Sequence, residues 1–320
     1  MSDPAAADPA AEPAVAGLEG RHIWIDGELA AAEARHLSAF DRGFQLGDGV
    51  FETLRARAGR PTELAEHLAR LRRSADGLDI PLDATLDDAL ARGIAAVLEA
   101  DGLDGPDGDA SVRITASRGT IIGRGLLPLE RPRPTVVIQA WPVPPTPADH
   151  LERGLHLAVS SVRRDPENPL AALKTTSRAD YVYARLEARR AGADDALFLT
   201  TDGHLSEATS ANVFLVRGTE LATPALACAI LPGTTRTWLL GWAGDVGLTR
   251  VEGWLTTSDL AGADEAFLCS SVAGVLPVTR FEDRPIGAGL PGPWTGRARE
   301  AREAFIRGDG MTGGRVTGVG

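Results

Sequence analysis

A proline-rich segment near the middle of the chain divides the sequence into two parts. Four of the seven residues 141–147 are proline, which disfavours helices and makes such a segment semi-rigid. On both sides of it, strand-like runs alternate with helical runs, and 320 residues are enough for two domains. The sequence therefore predicts a two-domain α+β fold, with a small N-terminal α/β domain at 20–140, a linker at 141–148 and a larger, strand-rich domain at 149–307.

The two ends of the chain have the composition of unstructured segments. Residues 1–19 are rich in alanine, proline and aspartate and are predicted to be a disordered tail. Residues 308–320 are rich in glycine and are predicted to be loose. Between them, the spacing of apolar residues predicts individual elements. The predicted strands are 22–25, 50–57, 111–117, 135–140, 155–162, 195–199, 213–216, 219–222, 265–269 and 274–279, and the predicted helices are 64–75, 86–100, 177–191 and 234–243.

Composition excludes several classes of protein. The 44 acidic residues exceed the 33 Lys and Arg residues, giving a formal charge of −11, so the chain lacks the basic surface that nucleic acids require. Two cysteines, Cys228 and Cys269, cannot form a disulfide framework, and the six histidines lack the spacing of metal ligands. Without a long apolar run or a basic N-terminal segment, we expect a cytoplasmic protein with no metal, no nucleic-acid partner and no membrane partner.

One residue type is nearly absent: Lys174 is the only lysine, and the remaining basic residues are arginine. A preference for arginine codons explains the arginines but not the lysine that remains. Lys174 follows the apolar segment 169–173 and precedes Ser177, a predicted helix N-cap. An apolar wall and a helix N-terminus both lower the pKa of an ammonium group, and a neutral lysine amine can attack a carbonyl. The sequence favours a Schiff-base lysine, with a surface lysine in a loop as the alternative.

A candidate acid follows in the second half of the chain. Glu207 comes after a predicted turn at 201–203 and is flanked by small, uncharged residues. This setting suits a buried carboxylate that faces a single cation. An exposed carboxylate at a strand end is the alternative.

Two further segments and one arginine could bind an anion. Residues 231–236 open a predicted helix, where Gly233 lets a ligand approach the first N–H groups, although capping alone is an alternative. Ser270 and Ser271 follow a predicted strand and offer hydroxyl groups, or form a plain turn. Arg70 lies off the leucine stripe of its helix and either reaches an anion or faces solvent. An amine, a carboxylate and several anion-binding elements together match the requirements of pyridoxal phosphate.

The order of these motifs resembles the fold-type IV (class IV) pyridoxal-phosphate aminotransferases and lyases, from about residue 22 to 306. This family includes D-amino-acid aminotransferase, branched-chain aminotransferase and aminodeoxychorismate lyase. The motifs that carry the resemblance are 41–55 (DRGFQLGDGVFETLR), 67–71, Lys174, 207–214, 231–236, 270–271 and 283–293.

The resemblance implies a role for each site residue. Lys174 would hold the cofactor as a Schiff base and then move a proton, and Glu207 would keep the ring nitrogen protonated. The phosphate would be bound by Arg70, by the backbone N–H groups of Thr234 and Thr235, and by Ser271. Ser270 and Asn212 would complete the cofactor site. The resemblance also implies a homodimer that acts on a small amino acid and a 2-oxo acid.

Substrate choice is expected to depend on a further group of residues. These are Phe44, Leu46, Phe51, Thr53, Arg55, Arg113, Arg118, Arg124, Val272 and Ala273. Among them, Arg55, Arg113 and Arg124 are the candidate cations for a substrate carboxylate, because a guanidinium can clamp it with two hydrogen bonds.

The finer expectation is a D-amino-acid transaminase. Residues 118–120 resemble the D-amino-acid enzymes, but 122–125 stand where those enzymes have an Arg-x-His carboxylate trap. The carboxylate site is therefore atypical and open to (R)-amines. The lyase is the second interpretation, and L-branched-chain transamination is the third.

Overall fold

The computed structural model describes residues 17–123, 125–127 and 133–309. Within this part of the chain, strands and helices form two sheets with helices packed on them, one sheet before the proline-rich segment and one after it. The predicted α+β fold is confirmed. None of the helices in these ranges is long and apolar enough to cross a membrane.

The first part of the chain forms an antiparallel sheet of six strands within the described residues, in the order β2-β1-β6-β5-β3-β4. Its strands are β1 His22–Ile25, β2 Glu28–Ala31, β3 Gly49–Arg57, β4 Arg60–Pro61, β5 Asp109–Ser117 and β6 Thr135–Pro142. Its helices are α1 Arg42–Leu46, α2 Leu64–Asp76 and α3 Asp87–Ala100, the last preceded by a 3-10 turn at Ala84–Leu86.

The second part forms a mixed sheet with the order β12-β11-β10-β13-β14-β7-β8-β9, and β15 pairs with β14. Its strands are β7 Leu155–Arg164, β8 Asp195–Thr200, β9 Leu205–Ala208, β10 Asn212–Arg217, β11 Glu220–Pro224, β12 Thr249–Gly253, β13 Glu265–Ser270, β14 Gly274–Phe281 and β15 Arg284–Pro285. Its helices are α4 Ala148–Glu152, α5 Ala179–Arg190, α6 Thr234–Asp245, α7 Thr257–Ala261 and α8 Pro293–Arg307, with a 3-10 turn at Leu226–Cys228.

Each sheet has its own hydrophobic core. In the first part, Leu68 and Leu71 of α2 belong to the same buried cluster as Val50 and Leu54 of β3. The alternating burial along β5 places Ile114 in this cluster as well, while its neighbours point to the other face. Burying these side chains leaves the opposite face of β3 and β5 free to line a cavity.

The segment that carries Lys174 is pinned to the edge of β3. The Phe51 N–H donates to the Lys174 carbonyl at 2.9 Å, and the Thr176 N–H donates to the Gly49 carbonyl at 2.8 Å. On the other side, the Lys174 N–H donates to Ser74 Oγ at 3.0 Å. The two parts of the chain therefore meet at the lysine.

Some predicted boundaries change in the structure. Helix α5 begins at Ala179, so Ser177 is not its N-cap; the Ser177 hydroxyl donates to the Gly47 carbonyl instead. At the proline-rich segment, Pro142 still belongs to β6 and Ala148 already belongs to α4. The domain boundaries themselves stay a prediction.

Candidate active site

A cavity of about 600 Å³ lies where the two parts of the chain meet. Its wall contains most of the residues that the sequence singles out. These are Phe51, Thr53, Arg70, Arg113, Lys174, Glu207, Asn212, Thr234, Thr235, Ser270, Ser271, Val272 and Ala273.

Other predicted substrate residues lie elsewhere. Phe44 and Leu46 are on α1 and exposed to solvent, away from the cavity wall. Arg118 is bound to Asp48 and to the Leu78 carbonyl. Arg124 lies outside the described residues. The sequence predicts several arginines as ligands of the substrate carboxylate. Of those that the structure describes, Arg113 is the one that lines the cavity.

Arg55 does not reach the cavity, because its guanidinium is held by acidic residues. Its Nε and Nη2 donate to Asp109 at 2.7 and 2.6 Å, and its Nη1 donates to Glu303 at 2.9 Å. These contacts raise the pKa of Arg55 still further. The same Nη1 lies 3.4 Å from the Val272 carbonyl, so Arg55 supports the turn at 271–273 that lines the cavity.

Lys174 presents its amine to the cavity. Its Nζ lies 4.8 Å from the centre of the Phe51 ring. Burial lowers the pKa of this amine from 10.5 to about 8; Arg70 and Arg178 act in the same direction, and Glu52 and Glu207 act against it. A lysine with this pKa has a far larger neutral fraction near physiological pH than an ordinary lysine, and the neutral amine can act as a nucleophile and a base.

Glu207 is a buried carboxylate on β9. Its Oε2 accepts the Leu231 N–H at 2.9 Å, and its Oε1 accepts the Tyr181 hydroxyl at 3.3 Å and lies 3.7 Å from Arg164 Nη2. Burial raises the pKa of Glu207 despite these contacts. The cations near Glu207 do not offset the effect of burial on its carboxylate. A cationic group on a ligand would therefore stabilise the ionised form of Glu207.

Arg70 lies on α2, in a buried ion-pair network. Its Nε and Nη2 each donate to Glu52 at 2.7 Å, and the His67 ring donates to the same carboxylate at 2.7 Å. Burial alone would raise the pKa of Glu52, but the bonds from Arg70 and His67 lower it to about 2. Arg70 Nη1 also donates to the Pro232 carbonyl at 2.8 Å, which joins α2 to the loop before α6.

The N-terminus of α6 opens into the same cavity. Its N-cap is Gly233, which has no side chain to bond the first N–H groups of the helix. A Cβ on Gly233 would lie 2.1 Å from Asn212 Oδ1, so the close approach requires glycine. Beside these N–H groups, the Thr234 hydroxyl is hydrogen bonded to Ser271 Oγ at 3.2 Å. Uncapped N–H groups with hydroxyls and a nearby arginine form an anion site.

Several site residues could not be recognised from the sequence. Glu52 binds Arg70, Arg164 lies beside Glu207, and Arg178 and Tyr181 line the cavity. No local sequence pattern marks these four residues, and tertiary contacts bring them to the site. Cys269 also lines the cavity, but burial raises the pKa of its thiol to about 12, so it is not a nucleophile at neutral pH.

The wall of the cavity fits the cofactor that the sequence predicts. The Lys174 amine, with its lowered pKa, suits the aldehyde of pyridoxal phosphate. The buried carboxylate of Glu207 suits the ring nitrogen, and the N-terminus of α6 with Arg70 beside it suits the phosphate.

Comparison with known sequences gives three kinds of relative. The family model described as "Amino-transferase class IV" matches residues 49–281. The chain is 34% identical to a putative branched-chain-amino-acid aminotransferase of Methanocaldococcus jannaschii, over 87% of this chain and 94% of the relative. It is 32% identical to a D-alanine aminotransferase of Bacillus licheniformis (89% and 96%) and 32% identical to an aminodeoxychorismate lyase of Bacillus subtilis (83% and 88%).

Solved structures share the fold over most of the chain. The branched-chain amino acid aminotransferase of Escherichia coli has a TM-score of 0.84 at 27% identity, covering 91% of this chain and 96% of that one. The enzyme of the same name from T.th., solved with pyridoxamine 5'-phosphate, has a TM-score of 0.83 at 28% identity with the same coverage.

Proposed function

Because the chain belongs to the class IV aminotransferase family, whose members depend on pyridoxal phosphate, we propose that it transfers the amino group of an amino acid to a 2-oxo acid. The observation that carries this proposal is the placement of the Lys174 amine, the Glu207 carboxylate and the open N-terminus of α6 around one cavity. No single one of these features would be sufficient.

The cofactor supplies an aldehyde that captures amines and a ring that withdraws electrons. Lys174 is the residue that would hold it and that takes and returns the proton at the reacting carbon. Glu207 would pair with the ring nitrogen and favour its protonated form. Arg70, Thr234, Thr235 and Ser271 would hold the phosphate, with Ser270 and Asn212 shaping the surrounding wall.

For the donor, the proposal is a D-amino acid whose carboxylate is bound by Arg113. The 32% identity to a D-alanine aminotransferase supports it. A second candidate is an L-branched-chain amino acid, which the M. jannaschii relative and the high TM-score of the E. coli structure favour. Aminodeoxychorismate lyase activity is the third candidate, through the B. subtilis relative.

The test is an absorbance scan of the cofactor-loaded protein with D-alanine, L-leucine and an (R)-amine in parallel samples. Conversion of the aldehyde band to the pyridoxamine band with D-alanine supports the proposal. Conversion only with L-leucine assigns the branched-chain activity. If the (R)-amine also converts the band, the carboxylate site is dispensable. A protein that no amine converts would contradict transamination.

The pH dependence of cofactor uptake follows from the lowered pKa of Lys174. Below pH 8 the buried amine is protonated and cannot attack an aldehyde, whereas above pH 8 it is neutral. We expect the rate of pyridoxal phosphate uptake by the apoprotein, followed by stopped-flow absorbance, to rise through about pH 8 and then level off. A rate that keeps rising tenfold per pH unit to pH 10 would indicate an ordinary lysine.

We also propose that a second copy of this chain covers an exposed apolar surface near α1. Phe44, Ile122, Leu126 and Leu127 are 76, 91, 80 and 81% exposed. Apolar clusters of this kind usually mark protein interfaces. Arg42 Nη1 fixes this surface by donating to the Gly125 carbonyl at 2.9 Å.

A homodimer predicts that light scattering gives twice the mass of one chain, and that Leu126→Glu combined with Leu127→Glu halves it. A single-chain mass for the unmodified protein would contradict the homodimer. The cytoplasmic location stays part of the proposal and is testable by cell fractionation.

A further inference from the structure

Arg302 on α8 is a fully buried cation with few hydrogen bonds. Its Nη2 donates to the Glu63 carboxylate and, at 3.2 Å, to Thr235 Oγ1. Its Nε and Nη1 are buried and have no hydrogen-bond partner among the described residues. Burying a guanidinium in this way costs free energy, and apolar side chains in place of a buried ion pair are often at least as stabilising. Fold stability alone therefore does not explain an arginine at this position.

Two aromatic rings hold the guanidinium of Arg302 in place. It lies 5.2 Å from the centre of the Trp238 ring and 5.2 Å from that of the Phe305 ring, within the range of a cation–π contact. Trp238 lies on α6, on the same face as Thr235, and Phe305 lies on α8. Arg302 is thus held between these two helices and reaches the first turn of α6.

Glu63, the acidic partner of Arg302, begins the other helix of the proposed phosphate site. It is the N-cap residue of α2, with a positive φ of 54°, but its side chain makes no capping hydrogen bond. Its carboxylate pairs with Arg302 instead. The proposed phosphate ligand Arg70 lies on α2, and the proposed ligand Thr235 lies on α6. Arg302 therefore joins the two helices that would bind the phosphate.

The hydrogen bond from Arg302 leaves the proton of the Thr235 hydroxyl available. A hydroxyl oxygen that accepts a bond from a guanidinium can still donate its own proton to a second partner. Within the described residues, the contact with Arg302 is the one hydrogen bond of this hydroxyl. Thr235 lines the cavity, whereas Arg302 does not. An anion at the N-terminus of α6 would supply the acceptor that the Thr235 hydroxyl lacks.

We propose that Arg302 is a positioning residue for the cofactor phosphate, because it fixes the Thr235 side chain so that its hydroxyl proton and the first N–H groups of α6 face the phosphate. This inference rests on the phosphate site given under the proposed function. Arg302 acts through Thr235 and does not itself contact the cofactor, so no bond forms or breaks at its side chain.

A purely structural role, in which Arg302 docks α8 on the first part of the chain, is the alternative. Other contacts already dock this helix, because Arg55 donates to Glu303 at 2.9 Å and Arg60 donates to the Arg307 carbonyl at 2.7 Å. Removing Arg302 should therefore leave α8 in place and loosen the first turn of α6. The two roles differ in whether the loss of affinity depends on the phosphate group of the ligand.

The first test compares pyridoxal phosphate with pyridoxal, which lacks the phosphate, by absorbance titration of the apoprotein. We expect Arg302→Met to weaken binding of pyridoxal phosphate by at least about tenfold and binding of pyridoxal by less than about threefold. Arg302→Lys should give an intermediate value, because it keeps the charge without the planar group. Arg299 is an exposed arginine on the same helix, and Arg299→Met is the matched control that should change neither affinity.

The second test is a double-mutant cycle with Thr235→Val, which removes the hydroxyl and keeps the size of the side chain. If Arg302 acts through this hydroxyl, the double variant should bind pyridoxal phosphate within about twofold of the weaker single variant. Should Arg302→Met not fold because Glu63 is left without its partner, Arg302→Met combined with Glu63→Gln removes both charges and takes its place.

The outcomes of these titrations separate a positioning role from a structural one. Equal weakening of both ligands by Arg302→Met, or losses that add up in the double variant, would overturn the inference. A protein that binds pyridoxal phosphate but transfers no amino group would contradict the proposed function, while the two titrations would still decide the role of Arg302.

Discussion

Replacing Lys174 with alanine is expected to lower the rate of transamination by about 10⁴-fold or more. The side chain has two roles in the account, because its amine holds the cofactor and then moves the proton at the reacting carbon. Its lowered pKa and its place on the cavity wall support both roles. The measurement is kcat with the best amino donor, together with the absorbance spectrum of the cofactor-loaded variant.

Lys174→Arg is the informative companion of this variant. It keeps a positive charge beside Phe51, but a guanidinium cannot be deprotonated in a protein and cannot act as the nucleophile or the base. We expect it to be as inactive as the alanine variant. If either variant keeps full turnover, another group must do this chemistry and the mechanism is wrong.

Replacing Glu207 with glutamine is expected to lower kcat by about 10²- to 10³-fold. Among the described residues, Glu207 is the carboxylate that lines the cavity. Glutamine keeps an oxygen that can accept the Leu231 N–H, but it removes the negative charge that would favour a protonated ring nitrogen. The variant separates the charge of Glu207 from its place in the fold.

The matched control for this variant is Glu300→Gln, an exposed carboxylate on α8. It loses the same charge at a distance from the cavity and should keep the activity of the unmodified enzyme. Circular dichroism and the melting temperature of both variants report on folding. A Glu207→Gln enzyme within about threefold of the original kcat would contradict the role of this charge.

Sequence periodicity predicts those elements whose buried face is apolar. Helix α2 buries Leu68, Leu71 and Ala75 at helical spacing, and the structure confirms it within one residue of its predicted end. Helix α8, at Pro293–Arg307, is not predicted although it is long. Its buried positions are Thr295, Ala298, Arg302 and Ile306, so polar residues interrupt the apolar spacing that would mark a buried helix face.

Short elements escape prediction for a related reason. Helices α1, α4 and α7 have five residues each, too few for a periodic pattern. Strand β9 has the sequence Leu-Ser-Glu-Ala and is buried throughout, because its polar side chains face the cavity and the loop before α6. Polar residues in such a strand predict a loop when only the sequence is considered.

Some residues of the candidate site can be identified from the sequence, and others only from tertiary contacts. Lys174 is predicted from its immediate neighbours and Glu207 from its place in the order of motifs, and both lie on the cavity wall. Arg178 is not predicted, because its place on the cavity wall beside Phe51 joins it to a strand that is distant in sequence. Arg55 is predicted as a substrate ligand, but Asp109 and Glu303, both distant in sequence, hold it outside the cavity.

The most direct test of the central claim uses the single lysine of this chain. The cofactor-loaded protein is reduced with sodium borohydride, which makes a Schiff base permanent, and its peptides are mapped by mass spectrometry. We expect one pyridoxyl group, on the peptide that contains Lys174. A label only at the N-terminal amine, or no label on a protein that has bound pyridoxal phosphate, would contradict it.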